Sequence, residues 1–545
     1  MGRLSSNKWI ATVASIWIQC SCGTDTFSIY SSILKSCQGY DQSTLDIVSV
    51  FKDIGGNAGI LAGLLYTAVT VNNYSGFCGP WMVHLAGAIQ SFLGYFFMWA
   101  SVVGLIERPP VALMYLFMFL STHSTAFFTT ANMVTGVQNF PQSGGTIVGI
   151  MKVHRLSWYK WSNYDQVYGI FCNGKPSTFI LMLALLPTFV SIVLVFFVRI
   201  HEANTIDDTK HLNGFPVVAL IIATYLIIIL TLENTLSLPS WAHIITFILL
   251  LLLLASPIGI AIKAQMEDSK RFVQTFSIES NPLKENPELM SSSESYHELH
   301  DGEGQVNAAV DDTILIDEEG MNLFQAMCTL NFWLLFMAMV CGMGSGQAVI
   351  NNLSQIGQSL NYTTVEVNNL VSLWSIWNFV GRIGVGYLSD YLLHARGWAR
   401  PLLMSITLAT MITGHIVIAS GFPGILYMGS ILVGICYGSQ WALMPTITSD
   451  IFGVRHLGTI STTIGVACPV GSYIFSVRVI GYIYDMEAGG EGYSSCFGTY
   501  CFMLSFIIMA SLALLGSLVA IALFFRTKIF YQRVVLRRLK QYSLR

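Results

Sequence analysis

Long apolar runs alternate with short polar segments along most of the chain. A run of about 20 residues is long enough to cross the hydrocarbon core of a bilayer, and most runs here end at Pro, Gly or a charged residue. The run TFILLLLLLASPIGIAI at 246–262 shows no polar face at helical spacing. We predict thirteen spans, near 9–31, 44–70, 80–105, 111–135, 176–199, 216–232, 241–262, 327–350, 366–391, 400–420, 424–446, 456–484 and 498–526.

The amino-acid composition also indicates a membrane protein. Of the 545 residues, 53% are hydrophobic and only 10% are charged, against about 25% charged in a typical soluble domain. So little charge cannot cover a soluble protein of this size. We therefore predict an all-α polytopic membrane protein whose main surroundings are the lipid bilayer.

One segment, from Lys263 to Gln325, breaks the apolar pattern. It contains fourteen acidic and four basic residues, a net charge of −10 against −3 for the whole chain. Its Ser, Glu, Asp and Asn content is typical of a disordered linker. It is interpreted either as a solvated tether between two bundles or as a regulatory segment with unknown protein partners.

An internal repeat organises the rest of the chain. Shifting the sequence by 321 residues places Asn57 on Asn378 and Gly63 on Gly384, so that spans and loops of the first half overlie those of the second. The predicted domains are an N-terminal six-span bundle (1–200), two additional spans (201–262), an acidic cytoplasmic linker (263–325), a C-terminal six-span bundle (326–526) and a basic tail (527–545).

Orientation follows from basic residues in short segments. The tail after 526 is basic, and Arg3 and Lys8 precede the first span without an acid, so both termini are predicted to be cytoplasmic. Asn361, in an Asn-Tyr-Thr sequon, then lies outside as a glycosylation candidate. The plasma membrane is favoured, with a vacuolar or other endomembrane as the alternative.

Two cytoplasmic termini require an even number of crossings, so a further crossing is predicted at about 144–171. That region contains MKVHRLSWYKWSNYDQ at 151–166, which is unusually polar for a span. Charged residues facing a cavity would make it a polar path. A lineage-specific replacement or an error in the gene model at 152–165 is the alternative, which we favour.

A charge clamp is predicted after the span at 366–391. The sequence GRIGVGYLSD places Gly386 and Asp390 at the end of a helix, and Arg396 and Arg400 follow within one short loop. A carboxylate at a helix end can pair with arginines across such a loop or cap a neighbouring helix. A clamp that forms in one conformation and breaks in another would gate a transporter.

This loop resembles the signature G-x-x-x-D-R-x-G-R-K of the major facilitator superfamily. Gly386, Asp390 and Arg400 fit it, whereas Tyr391 stands in place of the expected Arg. The first-half counterpart has Val69 opposite Asp390, so only the second half can form the clamp. The chain is similar to the plant nodulin-like, or nuclear-fusion-defective-like, branch through FSIYSSILK, FCNGKPSTFILMLALLP, NFVGRIGVGYLSD and SDIFGVRHLGTI. The resemblance implies a twelve-span transporter core with additional spans.

Polar residues inside the spans are candidates for a transport path, because an ionisable group in lipid usually faces protein or water. Arg382 would contact an anionic substrate, or it is a structural partner of Asp390. Asp25 and Asp53 would take part in proton coupling, with a simple Lys52 pair as the alternative for Asp53. Three amides either hydrogen-bond a substrate or hold helices together: Asn378, Gln347 and Gln440. Three tryptophans either line a cavity or serve helix packing and interface anchoring: Trp374, Trp377 and Trp441. Three histidines on apolar helices are either satisfied buried residues, which we favour, or proton relays: His84, His123 and His415.

Two functions remain open. The first is secondary active transport of a small organic, anionic solute by alternating access, with proton coupling left open; the second is a membrane scaffold or signalling protein that keeps the fold without transport. We expect no enzyme activity, cofactor, metal site or nucleic-acid partner, since no nucleophile and base pair or metal-ligand spacing is present. A disulfide among Cys37, Cys172 and Cys496 is a further prediction.

Overall fold

A computed structural model describes residues 7–23, 27–40, 42–71, 79–152, 176–201, 209–235, 239–279, 320–422, 424–487 and 496–537. Every regular element in these ranges is a helix. The N-terminal half contains α1 (Lys8–Cys20), α2 (Phe27–Gln38), α3 (Gln42–Asn57), α4 (Ile60–Val71), α5 (Pro80–Val103), α6 (Val111–Asn139), a 3₁₀ turn (Pro141–Ser143), α7 (Gly144–Met151), α8 (Pro176–Leu194) and a second 3₁₀ turn (Val195–Phe197).

The remaining helices include the extra pair and the second half. Between the halves lie α9 (Thr209–Leu212), α10 (Gly214–Thr235) and α11 (Ser240–Glu279). The second half contains α12 (Leu323–Met327), α13 (Leu330–Ser359), α14 (Thr364–Arg396), α15 (Arg400–Ser420), α16 (Ile425–Phe452), α17 (Leu457–Gly465), α18 (Ala467–Ser472), a π-helical segment (Tyr473–Gly481), α19 (Tyr482–Glu487), α20 (Tyr500–Phe530) and a second π-helical segment (Tyr531–Val535).

Eleven helices in the described ranges are long and apolar enough to cross a membrane, and they coincide with eleven of the thirteen predicted runs. The first predicted run is divided between α1 and α2, with 24–26 outside the described residues. The run near 366–391 forms the 33-residue helix α14, which carries four charged residues in addition to its apolar ones, namely Glu366, Arg382, Asp390 and Arg396. Of the predicted crossing at 144–171, only α7 and Lys152 are described.

The second predicted span is interrupted between α3 and α4, at Ala58 and Gly59. A helix break frees backbone carbonyls that must find other partners. One ring nitrogen of His123 lies 2.9 Å from the Ala58 carbonyl oxygen, and the other lies 2.8 Å from the side-chain oxygen of Gln90. His123 is thus a satisfied structural histidine that supports the interruption.

The two additional spans form a hairpin that joins the halves from outside. Apolar side chains of α10 pack against α14 through Ala223 and Leu226 on one side and Phe379 on the other. The other helix, α11, lies along α1, where Trp17 Nε1 donates to the Leu254 carbonyl at 3.0 Å and Trp9 Nε1 donates to Asp268 at 2.9 Å. One helix of each half therefore contacts the same hairpin.

Two boundary predictions need correction. The acidic linker was expected to begin at 263, yet α11 continues as a helix to Glu279, because the apolar run passes directly into residues with good helix propensity. The basic tail was expected to begin at 527, yet α20 and the following π-helical segment remain packed as far as Val535, which is 3% exposed.

The disulfide prediction was also wrong in its partners. Cys496 is bonded to Cys501, with Cα atoms 6.0 Å apart. Cys37 is a free thiol, and Cys172 lies outside the described residues. The sequence placed Cys501 inside a span, whereas the turn before α20 brings it beside Cys496.

Candidate functional site

Asp390, within the last two turns of α14, contacts the first turn of a helix from the other half. Its Oδ1 accepts a hydrogen bond from the Gly145 amide at 2.9 Å, and its Oδ2 accepts one from the Thr146 amide at 2.6 Å. The first amides of a helix have no partner inside the helix and carry partial positive charge. The carboxylate of one half therefore caps α7 of the other.

Glycines allow this close approach of α7 and α14. A Cβ atom on Gly386 would lie 2.4 Å from the Gly145 carbonyl oxygen, and one on Gly145 would lie 2.6 Å from the Gly386 carbonyl oxygen. One turn further along, a Cβ on Gly149 would lie 2.7 Å from the Arg382 carbonyl oxygen. Any larger residue at these positions must separate the two helices.

Arg400 connects Asp390 to a second acid. Its Nη2 donates to Asp390 Oδ1 at 2.6 Å, and its Nη1 contacts Asp450 Oδ2. The Tyr531 hydroxyl donates to the same Asp450 oxygen at 2.8 Å. We call Asp390, Arg400 and Asp450, together with the first turn of α7, the clamp.

Sequence reasoning missed Asp450 and misjudged Arg396. Both acids follow a serine within the last two turns of a long helix, at 389–390 and 449–450, and this repeated Ser-Asp pair was a signal that could have identified the second acid. The Arg396 side chain is exposed and lies over the Trp398 ring, 5.8 Å from its centroid. The structure thus brings Gly386, Asp390 and Arg400 together and leaves Arg396 outside.

A second crossing between the halves lies at the position related by the repeat. Helix α4 of the first half meets α17 of the second, where a Cβ on Gly63 would lie 2.5 Å from the Thr459 backbone. The hydroxyl oxygens of Thr67 and Thr459 are 3.2 Å apart. The two crossings, α7 with α14 and α4 with α17, close the same end of the molecule.

Arg382 lies about two turns before Asp390, at the boundary of the two halves. Its Nε donates to Asn378 Oδ1 at 3.0 Å, and its Nη1 donates to the Lys152 carbonyl of the first half at 2.8 Å. The Lys152 ammonium lies 4.5 Å from the centroid of the Trp441 ring, and the Arg382 guanidinium lies 5.9 Å from it. Both cations are buried. We call Asn378, Arg382, Trp441 and Lys152 the central site.

A row of polar side chains continues from the centre of the second half. The Tyr437 hydroxyl donates to Gln347 Oε1 at 2.6 Å, and Gln347 Nε2 donates to Asn351 Oδ1 at 2.9 Å. Asn351 is exposed and donates to Ser472 Oγ at 3.1 Å. This row links the ring contact between Tyr437 and Trp441, whose centroids are 6.3 Å apart, to an exposed position.

Several buried donors in the central site, or close to it along α14, have no hydrogen-bond partner among the described residues. They are the Asn378 side-chain NH₂ and the indole NH groups of Trp374, Trp377 and Trp441. An unpartnered buried donor costs about 1–3 kcal/mol. A bound molecule that offers oxygen acceptors would satisfy such a set.

The remaining candidates do not join this site. The Gln440 side chain is fully buried, and its Nε2 lies 3.4 Å from the sulfur of Met411 on α15. Asp53 lies 3.1 Å from the Lys52 ammonium. Asp25 lies outside the described residues.

His84, His415 and the glycosylation candidate Asn361 also lie apart from the central site. His84 stacks on the Phe128 ring, and His415 lies 3.2 Å from the Ser345 hydroxyl, so neither contacts the central site. Asn361 is exposed in the turn between α13 and α14, with φ of 62°. In the described ranges, no group of three or more His, Cys, Asp or Glu residues could hold a metal ion.

Comparisons with known proteins place this geometry in a family. The family model described as Nodulin-like matches residues 8–262, and the model described as NFD4, C-terminal domain, matches residues 312–533. Protein NUCLEAR FUSION DEFECTIVE 4 of Arabidopsis thaliana is 25% identical over 97% of this chain and 90% of its own length. Probable transporter MCH1 of Yarrowia lipolytica is 29% identical over 35% of this chain and 41% of its own length.

A solved structure agrees with the fold. The proton:xylose symporter XylE, described as a major facilitator superfamily protein, superimposes with a TM-score of 0.50 at 10% identity, over 93% of each chain. The predicted fold of two related bundles with additional spans is thereby confirmed. The chain is a multi-pass membrane protein with a Nodulin-like N-terminal region (residues 8–262), an NFD4, C-terminal domain (residues 312–533) and the fold of a major facilitator superfamily protein.

Proposed function

We propose that the protein is a secondary active transporter that carries a small organic anion by alternating access, with protons as the first coupling ion to test. The fold and the relatives named as transporters support transport as such. The central site is the observation that favours an anion. Asn378, Arg382 and Trp441 direct donors into the boundary between the two halves, and Lys152 adds a second cation there.

Anion recognition by this set follows from its chemistry. Arg and Lys side chains only donate hydrogen bonds, and the unpartnered indole and amide groups are donors as well. Hydrogen bonds between such donors and a carboxylate are about twice as strong as neutral ones. A solute held by Arg382 and Lys152 would contact both halves at once, which is how a bound solute can bias the rocking of two bundles.

The two crossings between the halves indicate from which end of the molecule the central site would be reached. The clamp and the α4–α17 crossing close one end, whereas the row from Tyr437 through Gln347 reaches exposed Asn351 towards the other. Asn361 lies in the turn at the end of α13 on that same side. In the proposed orientation, with both termini cytoplasmic, this conformation is closed to the cytoplasm.

Arg382→Gln should reduce uptake of the transported anion by about ten- to 150-fold, because a hydrogen bond to a charged group contributes about 1.5–3 kcal/mol. Purified protein in proteoliposomes would be assayed against a panel of labelled organic anions, with and without a pH gradient. Arg478→Gln is the matched control, because Arg478 is exposed beside Tyr473 and far from the central site in the chain.

Uptake by the wild-type protein with full activity in Arg382→Gln would contradict the assignment of Arg382. Absence of flux for every solute in the panel would favour the alternative, a membrane scaffold that works through its acidic linker. If Arg382 is only a structural partner, the variant will show a lower unfolding temperature and Arg382→Lys will not restore substrate affinity. Restored affinity in Arg382→Lys with an unchanged unfolding temperature supports binding.

The proposed orientation is tested at Asn361. If its turn faces the lumen during synthesis, the exposed asparagine should carry a glycan when the protein is made in a eukaryotic cell. Removal of N-glycans should then increase gel mobility in the wild type, and Asn361→Gln should abolish the difference. Asn352→Gln is the control, because that asparagine donates to the Ala348 carbonyl within α13. A wild type unaffected by deglycosylation would contradict this orientation.

A further inference from the structure

The C-terminal segment extends the clamp. Helix α20 ends at Phe530, and the chain continues as the π-helical segment Tyr531–Val535. Tyr531, the first residue of that segment, is fully buried, and its hydroxyl donates to Asp450 Oδ2 at 2.8 Å. The segment therefore makes a directed polar contact in addition to its apolar packing.

That contact reaches the other half through a continuous series of hydrogen bonds. The oxygen that accepts from Tyr531 also contacts Arg400, and Arg400 donates to Asp390 at 2.6 Å. Asp390 in turn accepts from the Gly145 and Thr146 amides of α7. Every bond in the series joins a different pair of elements: the C-terminal segment, α16, α15, α14 and α7.

The charges of the clamp explain why the Tyr531 hydroxyl matters for its geometry. Two nearly buried carboxylates share one guanidinium, since the side chains of Asp390, Asp450 and Arg400 are 9%, 11% and 3% exposed. Each acid needs a further donor, because a buried charge is costly unless its oxygens are hydrogen-bonded. Asp390 receives two backbone amides, whereas Asp450 receives the Tyr531 hydroxyl. Without that hydroxyl, Asp450 would draw Arg400 away from Asp390.

Apolar packing holds the segment under the loop between α14 and α15. Tyr531 and Val535 belong to the same buried cluster as Leu393, in the last turn of α14, and Ala399, the last residue of that loop. A displacement of the segment therefore moves the residues that carry the clamp. Sequence analysis assigned this region to a basic tail because Arg533 and Arg537 are conspicuous, but both are exposed while Tyr531 faces inward.

We propose that Tyr531 is a positioning residue of the clamp, so that the C-terminal segment controls how firmly the two halves are held together at this end. The consequence for gating rests on the proposed transport function, but the effect on clamp geometry does not. The segment would then be the part of the chain through which events at the C-terminus alter the conformational equilibrium.

The test is hydrogen exchange of the full-length protein in nanodiscs, followed by mass spectrometry. Tyr531→Phe keeps the ring and removes only the hydroxyl. We expect the peptide over 141–151, which contains the Gly145 and Thr146 amides, to exchange about fivefold faster. Peptides of α13 should be unchanged. Tyr484→Phe is the matched control, since its hydroxyl contacts the Cys496 amide in the loop before α20, on the side of the bundle away from the clamp.

Asp450→Asn provides the second arm, in case Tyr531→Phe alone is poorly folded. Adding Tyr531→Phe to Asp450→Asn should cause no further increase, because both changes break the same series of bonds. Unchanged exchange at 141–151 in well-folded Tyr531→Phe would overturn the proposal, as would full additivity of the two changes. Exchange is measured without any solute, so failure to find a transported solute would refute the proposed function and leave this inference standing.

Discussion

Replacing Arg400 by Gln is expected to release the clamp and to lower both transport and stability. Arg400 is 2% exposed and is the cation shared by Asp390 and Asp450. Its removal leaves two carboxylates buried side by side, and breaking a buried ion pair by removing one partner costs about 3–5 kcal/mol. That free energy corresponds to a change of about 150-fold or more in the equilibrium between closed and open forms.

The measurement combines solute uptake in proteoliposomes with thermal unfolding in detergent. Arg400→Gln should abolish most of the uptake and lower the unfolding temperature by several degrees. Arg396→Gln is the matched control, because Arg396 is exposed beside Trp398, and surface substitutions usually change stability by less than about 0.5 kcal/mol. Equal effects of the two changes would show that the loop charge matters and the clamp geometry does not.

The sequence was sufficient to predict most of the long helices and two residues of the clamp, Asp390 and Arg400. Apolar runs located eleven of the long helices, because lipid imposes a length and a composition that few other environments require. Asp390 and Arg400 were predictable because they flank one short loop, so their proximity follows from local chain geometry. The internal repeat predicted related halves, and the two crossings, α4 with α17 and α7 with α14, agree with it at the level of helices.

What the sequence could not provide was contact between distant segments. Asp390 was expected to pair with arginines, but its other partners are the Gly145 and Thr146 amides, which no side-chain pattern indicates. Asp450 of the clamp and Tyr531, which donates to it, lie 60 and 141 positions after Asp390 in the chain. Arg396 was chosen for its nearness to Asp390 in sequence, although the helix end directs it to the surface. The partner of Cys496 is likewise Cys501, at the start of α20, in a run that the sequence predicts as a span.

Lys152 shows how structure changes the meaning of an unusual residue. Its sequence context suggested a damaged span, and the residues after it lie outside the described ranges. Yet Lys152 itself is 5% exposed, its carbonyl accepts from Arg382 and its ammonium lies over Trp441. Lys152, the first residue of the stretch at 152–165, is therefore a buried part of the central site.

Gly386→Ala should open the same end of the molecule through packing alone, without removing any charge. The added methyl group would lie 2.4 Å from the Gly145 carbonyl oxygen, a distance that requires α7 and α14 to separate. Overpacking of this kind costs about 1–3 kcal/mol. We therefore expect the closed form to become about five- to 150-fold less favourable relative to the open form.

The α4–α17 crossing offers an independent measurement of the effect of Gly386→Ala. Cysteines introduced at Thr67 and Thr459, whose hydroxyl oxygens are 3.2 Å apart, should form a disulfide in the closed form. Gly386→Ala should reduce the cross-linked fraction, whereas Gly384→Ala should not, because a Cβ on Gly384 meets no atom within 4 Å. Both changes add one methyl group to α14 two residues apart, so helix propensity is matched. A reduced fraction in Gly386→Ala alone would show that the two crossings open together, as rigid rocking of two bundles requires; an unchanged fraction would mean that each crossing opens separately.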